Sequence, residues 1–176
     1  MTIVLILLFV IAGIIALLLL MAIFMRKNYT IQREIIIQAP LPTVFDYLKQ
    51  LKNQDYFNKW VMVDPDMKKD FTGTDGTVGF IYGWNGNKKA GEGEQEITAL
   101  EEGKFINTEV RFKRPFPGIA YANYVTASLP DNQTKITWSN TSAMKYPMNI
   151  MVSMIENMLA KDMDISLQTL KTILEK

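Results

Sequence analysis

The chain has 176 residues, and its 19 basic and 18 acidic side chains leave a net charge of +1. This length is enough for one domain with a sizeable core, and the near balance of charge argues against a nucleic-acid partner. Cysteine and histidine are both absent, which excludes disulfides, thiolate nucleophiles, histidine bases and metal sites built on either residue. We expect no metal and no cofactor, and we assign no catalytic residue.

The first predicted element is a transmembrane helix at residues 1–25. From Ile3 to Met25 every residue is apolar or glycine, and at about 1.5 Å per residue this run spans roughly 34 Å, close to the thickness of the hydrocarbon layer. A signal peptide is the rival interpretation. It is disfavoured because nothing basic precedes the run and because "AIFMRKNY" is a poor cleavage site.

Residues 26–29 form a short linker before a soluble domain at 30–176. Arg26 and Lys27 directly follow the apolar run. The positive-inside rule then places the domain in the cytoplasm, as part of a single-pass protein of the cell membrane.

The domain is predicted to begin with a strand at Thr30–Gln38, followed by two short helices in "APLPTVFDYLKQL" and "NQDYFNKW". The turn-rich segment "VDPDMKKDFTGTDG" has room for one short strand. Five strand-like runs follow: "TVGFIYGW", "GEQEITAL", "KFINTEVRF", "IAYANYVTASL" and "TKITWSNTS". In the first of these, alternation places one set of side chains on one face: Val78, Phe80, Tyr82 and Trp84. A long helix after Pro147 completes an α+β pattern.

The hairpin around Gly103 predicts which face of the sheet is exposed. If Leu100 lies opposite Phe105, then Gln95 faces Val110 on the inner row. The other row then opposes glutamates to basic residues, with Glu94 facing Arg111 and Glu92 facing Lys113. The run "EGEQE" could also supply metal ligands or an acid/base pair, but we interpret it as a solvated outer face with ion pairs. On the last strand, Ile136, Trp138 and Asn140 are predicted to point inward.

The segments "REIIIQAPLPTVFDYL", "GEQEITAL" and "TKITW", with Trp60 and the "DP" at 64–65, resemble the START-like (SRPBCC) superfamily, specifically its polyketide cyclase/dehydrase-like branch. The resemblance covers about residues 30–175. It implies a helix-grip fold, in which a seven-stranded antiparallel sheet wraps around the long C-terminal helix. It also implies a cavity for lipids, polyketides, sterols or quinones, and no fixed catalytic set. The membrane helix and the absence of histidine are departures from many members.

Six methionines fall in residues 143–163. Helical spacing places one wide apolar stripe on the last helix: Met148, Met151, Val152, Ile155, Met158, Leu159, Met163, Leu170 and Ile173. These methionines are either ordinary core residues or a deformable wall of the cavity, since Met is flexible and polarizable.

Asp162, Ser166 and Thr169 also fall within this stripe. An unpaired buried carboxylate is costly. Either the helix end projects into water, or Asp162 marks a polar end of the cavity that orients a ligand headgroup. In a cavity, Asp162 would also be the first candidate for acid/base chemistry.

The favoured hypothesis is a membrane-anchored domain that binds a hydrophobic small molecule or lipid. The alternatives are a cyclase/dehydratase-type enzyme that uses Asp162 or Tyr82, and a co-chaperone-like interaction domain. The predicted ligand-binding residues are Trp60, Phe80, Tyr82, Trp84, Gln95, Thr108, Phe112, Trp138, Met151, Ile155, Met158 and Asp162.

Overall fold

The computed structural model describes residues 2–176, which form five α-helices and seven strands. The helices are α1 (Thr2–Phe24), α2 (Leu41–Lys49), α3 (Gln54–Phe57), α4 (Lys59–Met62) and α5 (Val152–Leu174). The strands are β1 (Asn28–Ile37), β2 (Lys68–Thr72), β3 (Ile81–Asn85), β4 (Glu92–Glu101), β5 (Phe105–Arg114), β6 (Gly118–Leu129) and β7 (Gln133–Ala143). Short 3₁₀ turns at Leu51–Asn53 and Met148–Met151 lead into α3 and α5.

The seven strands form a single antiparallel sheet in the order β1-β7-β6-β5-β4-β3-β2. α5 packs on the inner face of this sheet and contacts β1 in particular. Met163, Leu167 and Leu170 of α5 are fully buried with Trp138 of β7 and Phe45 of α2. The predicted α+β fold, with a seven-stranded antiparallel sheet and a long C-terminal helix, is therefore confirmed.

The β4–β5 hairpin has the predicted register in its middle part, where Gln95 lies opposite Val110. A β-bulge nearer the turn shifts the pairing by one residue. Leu100 therefore lies opposite Ile106 rather than opposite Phe105. The prediction was wrong at this end because the bulge adds one residue to β4 between Ile97 and Ala99, which pairing by simple alternation does not include.

The outer face of this hairpin carries the predicted ion pairs. Arg111 donates hydrogen bonds to three carboxylates, those of Glu94 (2.7 Å), Glu96 (2.8 Å) and Glu109 (2.9 Å). Glu92 pairs with Arg114 at 2.8 Å rather than with the predicted Lys113, because the register shifts between Glu92 and the next residue. The glutamate run is thus neutralised by neighbouring arginines.

Val78 does not share a face with the other predicted inner residues of its run. Its side chain is exposed, whereas Phe80 and Tyr82 are buried. β3 begins only at Ile81, and Gly79 before it has φ +86°, in the left-handed region that favours glycine. The chain therefore turns at Gly79, and the alternation does not extend back to Val78.

The apolar helix α1 is the one helix of residues 2–176 that is long and apolar enough to cross a membrane, over Ile3–Phe24. Within Ile3–Phe24 the large apolar side chains are exposed, and only Ala22 is buried. Ala22 lies where the end of α1 contacts the 3₁₀ turn before α5. There Asn149 donates from its side-chain amide to the carbonyls of Ala22 (2.6 Å) and Met25 (2.9 Å).

Candidate functional site

A cavity of about 970 Å³ lies between the inner face of the sheet, α5 and the α3–α4 segment. Small inner side chains leave this space open. Ala120 and Ala122 occupy the inner positions of β6 before the large Tyr124. On β4, the Trp84 ring occupies the space beside Gly93, where an added Cβ would lie 2.6 Å from that ring. The hollow, which α5 covers but does not fill, therefore lies over the small side chains of Ala120 and Ala122.

Aromatic rings form much of the wall. Tyr124 stacks on Trp138 with ring centroids 5.2 Å apart, and Trp60 packs on Trp138 at 5.6 Å. Trp84 meets Phe112 edge to face at 6.0 Å. All five residues border the cavity, so that all three tryptophans of the protein line it. Such a wall suits an apolar or aromatic ligand.

One polar part of the wall is satisfied by its own hydrogen bonds. The Asn58 amide donates to Gln54 (2.9 Å), Gln54 donates to Gln95 (3.1 Å) and Gln95 donates to Thr108 (2.9 Å). Thr108 in turn donates to the carbonyl of Ala122 at 2.5 Å. These buried groups are already partnered, so they fasten α3 to the sheet.

A second polar group joins Tyr82, Asp55 and Lys69. The Tyr82 hydroxyl donates to Asp55 at 2.6 Å, and Lys69 donates to the other carboxylate oxygen at 2.7 Å. Burial first, and then the hydrogen bond to Asp55, raise the pKa of the Tyr82 hydroxyl well above its usual range. Tyr82 therefore keeps its proton at neutral pH, and that proton is directed at Asp55.

Asp162 borders the cavity, but both of its carboxylate oxygens accept hydrogen bonds from neighbouring side chains. One carboxylate oxygen pairs with Lys59 at 2.5 Å, and the other accepts the Trp60 indole N–H at 3.1 Å. The Ser166 hydroxyl donates to the backbone carbonyl of Asp162 and accepts the Lys59 backbone N–H. Of the two alternatives for this helix end, projection into water does not apply to Asp162 and Ser166, which instead attach α4 to α5.

Nine of the twelve predicted ligand-binding residues border the cavity. They are Trp60, Tyr82, Trp84, Gln95, Phe112, Trp138, Ile155, Met158 and Asp162. Phe80, Thr108 and Met151 do not. Phe80 packs against Phe71 in the core, Thr108 lies beneath Gln95, and Met151 is in the turn that precedes α5.

Of the four methionines on the predicted stripe, one borders the cavity. Met158 borders it, Met163 is fully buried in the core, Met148 is exposed, and Met151 lies in the 3₁₀ turn before α5. The predicted stripe was too wide, because the 3₁₀ turn at Met148–Met151 breaks the helical period before α5 begins. Met62 and Met67, from outside α5, also border the cavity.

Sequence reasoning left out several lining residues, including Tyr29, Ala120, Ala122, Tyr124, Asn140 and Leu159. The available signal in the sequence was on β6, where two small side chains, Ala120 and Ala122, precede the large Tyr124 at alternate positions. It could not be used without the β6–β7 register, which pairs Tyr124 with Trp138. That register places Tyr124 on the inner face.

No family model matches the chain, and no curated protein matches it in sequence. Solved structures do match in three dimensions. A Chromobacterium violaceum protein is 15% identical with a TM-score of 0.59, covering 84% of this chain and 97% of its own. Norcoclaurine synthase from Thalictrum flavum, solved with dopamine and hydroxybenzaldehyde, is 11% identical with a TM-score of 0.63, covering 84% and 87%. The Aha1 dimer from Colwellia psychrerythraea is 16% identical with a TM-score of 0.57, covering 84% and 96%. The chain thus has the SRPBCC-type, Bet v 1-like fold.

Proposed function

We propose that the protein is a membrane-anchored binding domain whose cavity holds a lipid-like or other hydrophobic small molecule. The observation that carries this proposal is the hollow of about 970 Å³, lined mainly by apolar and aromatic side chains. Ligand sites of folded proteins have volumes of roughly 300–1,000 Å³ and such linings. The norcoclaurine synthase structure, which has the same fold, contains two small aromatic molecules, and this supports a binding role.

The anchor is the second part of the proposal. The helix Ile3–Phe24 has a mean hydropathy of 3.5, and no Asp, Glu, Lys or Arg interrupts it. Arg26 and Lys27 at its end favour a cytoplasmic domain on a single-pass protein of the cell membrane. A tethered cavity could then exchange a hydrophobic molecule with the bilayer across little water.

The cyclase/dehydratase alternative needs a free acid or base in the cavity. Tyr82 and Asp162 were its candidates. Tyr82 is hydrogen-bonded to Asp55, and Asp162 is bonded to Lys59 and Trp60. A filled interior below a broad exposed apolar patch would favour the interaction-domain alternative, whereas this interior is hollow. The binding function is therefore favoured.

The test compares small molecules that remain bound to the full chain after purification in mild detergent. Ala122→Leu adds a large side chain to the inner face of β6, and Val125→Leu is the matched control because Val125 is exposed on the outer face. Organic extracts are quantified by mass spectrometry. We expect a hydrophobic molecule in near-stoichiometric amount with the wild type and the control, and a loss of about tenfold with Ala122→Leu. Equal amounts in all three proteins, or no bound molecule in any, would contradict the proposal.

A further inference from the structure

We propose that Tyr124 and Asn140 form a recognition point for a neutral oxygen atom of the ligand, such as a carbonyl oxygen. This inference rests on the proposed binding function. Tyr124 lies on β6 opposite Trp138, and Ala122 of the same strand lies opposite Asn140. Tyr124 and Asn140 therefore share the inner face on adjacent strands, about two residues or ~7 Å apart. Both border the cavity.

Among the buried residues of the cavity wall, three have donors without a protein partner, namely Tyr124, Asn140 and Trp138. Trp60, Trp84 and Tyr82 donate to Asp162, Ala90 and Asp55 respectively. Within residues 2–176, no protein group bonds to the Tyr124 hydroxyl, the Asn140 amide or the Trp138 indole N–H, although all three residues are more than nine-tenths buried. Buried polar groups are nearly always partnered, so a ligand that supplies an acceptor oxygen here would satisfy the donors of Tyr124 and Asn140, with the Trp138 N–H beside them.

The charges around the cavity indicate a neutral ligand. Lys59 is paired with Asp162, and Arg114 at the end of β5 is paired with Glu92. Lys89 borders the cavity from an exposed loop position, not from the inner face that carries Tyr124. A carboxylate ligand beside Tyr124 would be a buried charge without a partner. The ligand class is therefore a long apolar molecule with a ketone, ester, quinone or alcohol oxygen.

The test uses two photoreactive probes of equal chain length, a diazirine-bearing alkane and a diazirine-bearing alkyl methyl ester. The full chain is reconstituted in phosphatidylcholine nanodiscs, irradiated with each probe, digested and mapped by mass spectrometry. We expect the ester to label cavity-lining peptides about tenfold more than the alkane, the ratio of one good hydrogen-bonded contact. Tyr124→Phe and Asn140→Leu should each reduce this preference, and Tyr121→Phe on the outer face should not.

Three outcomes separate the two proposals. Labelling of the cavity by neither probe would contradict the proposed binding function. Equal labelling by both probes in the wild type would leave that function intact and overturn the recognition point. A preference that survives both Tyr124→Phe and Asn140→Leu would also overturn it.

A separate observation concerns the end of the domain that adjoins α1. β1 begins here opposite the end of β7, and β6 begins here after the β5–β6 loop. Phe116 stands in that loop between two prolines with 70% of its surface exposed. Ile119, Met148 and Met154 at the same end are also exposed. This is an apolar surface beside the end of the membrane helix.

The charge at this end is positive. Arg26 is paired with Glu156, and Arg114 with Glu92. Lys27 and Lys145 have no ion-pair partner within residues 2–176 and are exposed. We infer that this end lies on the surface of an anionic bilayer, with Phe116 in the headgroup region, where aromatic rings and lysines are both favoured. Arg114, Pro115 and Phe112 directly behind Phe116 border the cavity, so its entrance would face lipid.

The absence of cysteine allows one dye to be placed at a chosen position. An environment-sensitive dye is attached after Phe116→Cys or, as the control, after Ser128→Cys at the opposite end of β6. The full chain is reconstituted in phosphatidylcholine vesicles with and without phosphatidylglycerol. We expect blue-shifted emission and quenching by brominated lipid only at position 116, with a larger effect in the anionic vesicles. Equal emission at both positions would overturn this inference without affecting cavity binding. Quenching that depends on protein density rather than on lipid would indicate a second copy of the chain as the partner, and would also overturn it.

Discussion

The side-chain amide of Asn149 lies 2.6 Å from the backbone carbonyl oxygen of Ala22 and donates a hydrogen bond to it. The last carbonyls of a helix have no partner within that helix, and Asn149 satisfies two of them at the end of α1. Asn149 is fully buried. The apolar helix α1 is therefore joined to the domain by specific contacts and not only by the linker.

Replacing Asn149 with Leu should loosen this junction. The carbonyls of Ala22 and Met25 lose a buried donor, which costs about 1–3 kcal/mol. We expect faster tryptic cleavage after Arg26 and Lys27 in the nanodisc-embedded protein. Ser153→Ala, at an exposed position of α5, is the control. A cleavage rate equal to that of the wild type would show that the two hydrogen bonds do not hold the junction.

The Asp162 carboxylate should stabilise the protein mainly through the Trp60 indole. Asp162→Asn keeps an acceptor for Trp60 and loses only the pairing with Lys59, whose side chain is 46% exposed, so we expect a loss below about 1 kcal/mol. Asp162→Leu leaves the indole N–H without a partner and should cost about 2 kcal/mol. Urea unfolding followed by tryptophan fluorescence measures both. Equal losses in the two variants would mean that the ion pair, not the indole, dominates.

Arg111 should stabilise the outer face of the β4–β5 hairpin. Arg111→Met leaves three glutamates close together without their shared cation, and we expect a loss of about 1–2 kcal/mol at neutral pH. The loss should shrink as the salt concentration rises to about 1 M, because the Debye length falls to about 3 Å and the carboxylates repel one another less. Thermal unfolding across a salt series measures it, with Lys145→Met as the control. A loss that does not vary with salt would point to packing instead of charge.

Stability should decline in alkaline solution through the buried tyrosines. Burial raises the pKa of the Tyr124 hydroxyl, and burial together with Asp55 raises that of Tyr82. Their contribution is complete below the unfolded-state value of about 10. It is lost as the pH rises toward the higher folded-state pKa values, because the unfolded state releases these protons first.

The measurement is urea unfolding as the pH is raised above about 10. Tyr82→Phe removes one of the two groups and should make the decline shallower, whereas Tyr121→Phe at an exposed position should leave it unchanged. An identical decline in the wild type and Tyr82→Phe would show that Tyr82 does not hold its proton more tightly when folded.

The sequence by itself determined the class of most elements and the inner face of β4, β5 and β7. Opposed charges placed Glu94 across from Arg111, and the alternation in "TKITW" placed Trp138 inward; both predictions are confirmed. These signals are local, because a strand has a period of two and a wrong register would bury a charge. The long apolar run likewise needs only its own composition to predict a helix.

The tertiary structure alone decided which inner residues line a hollow and which fill the core. Phe80 and Tyr82 look equivalent in the sequence, but only Tyr82 borders the cavity. Met158 and Met163 were placed on one helical face, but Met163 is buried and Met158 is not. The difference depends on how α5 crosses the sheet and on the small side chains of Ala120 and Ala122. The empty space lies between residues that are far apart in the chain. No local sequence pattern predicts how closely those residues approach one another in the fold.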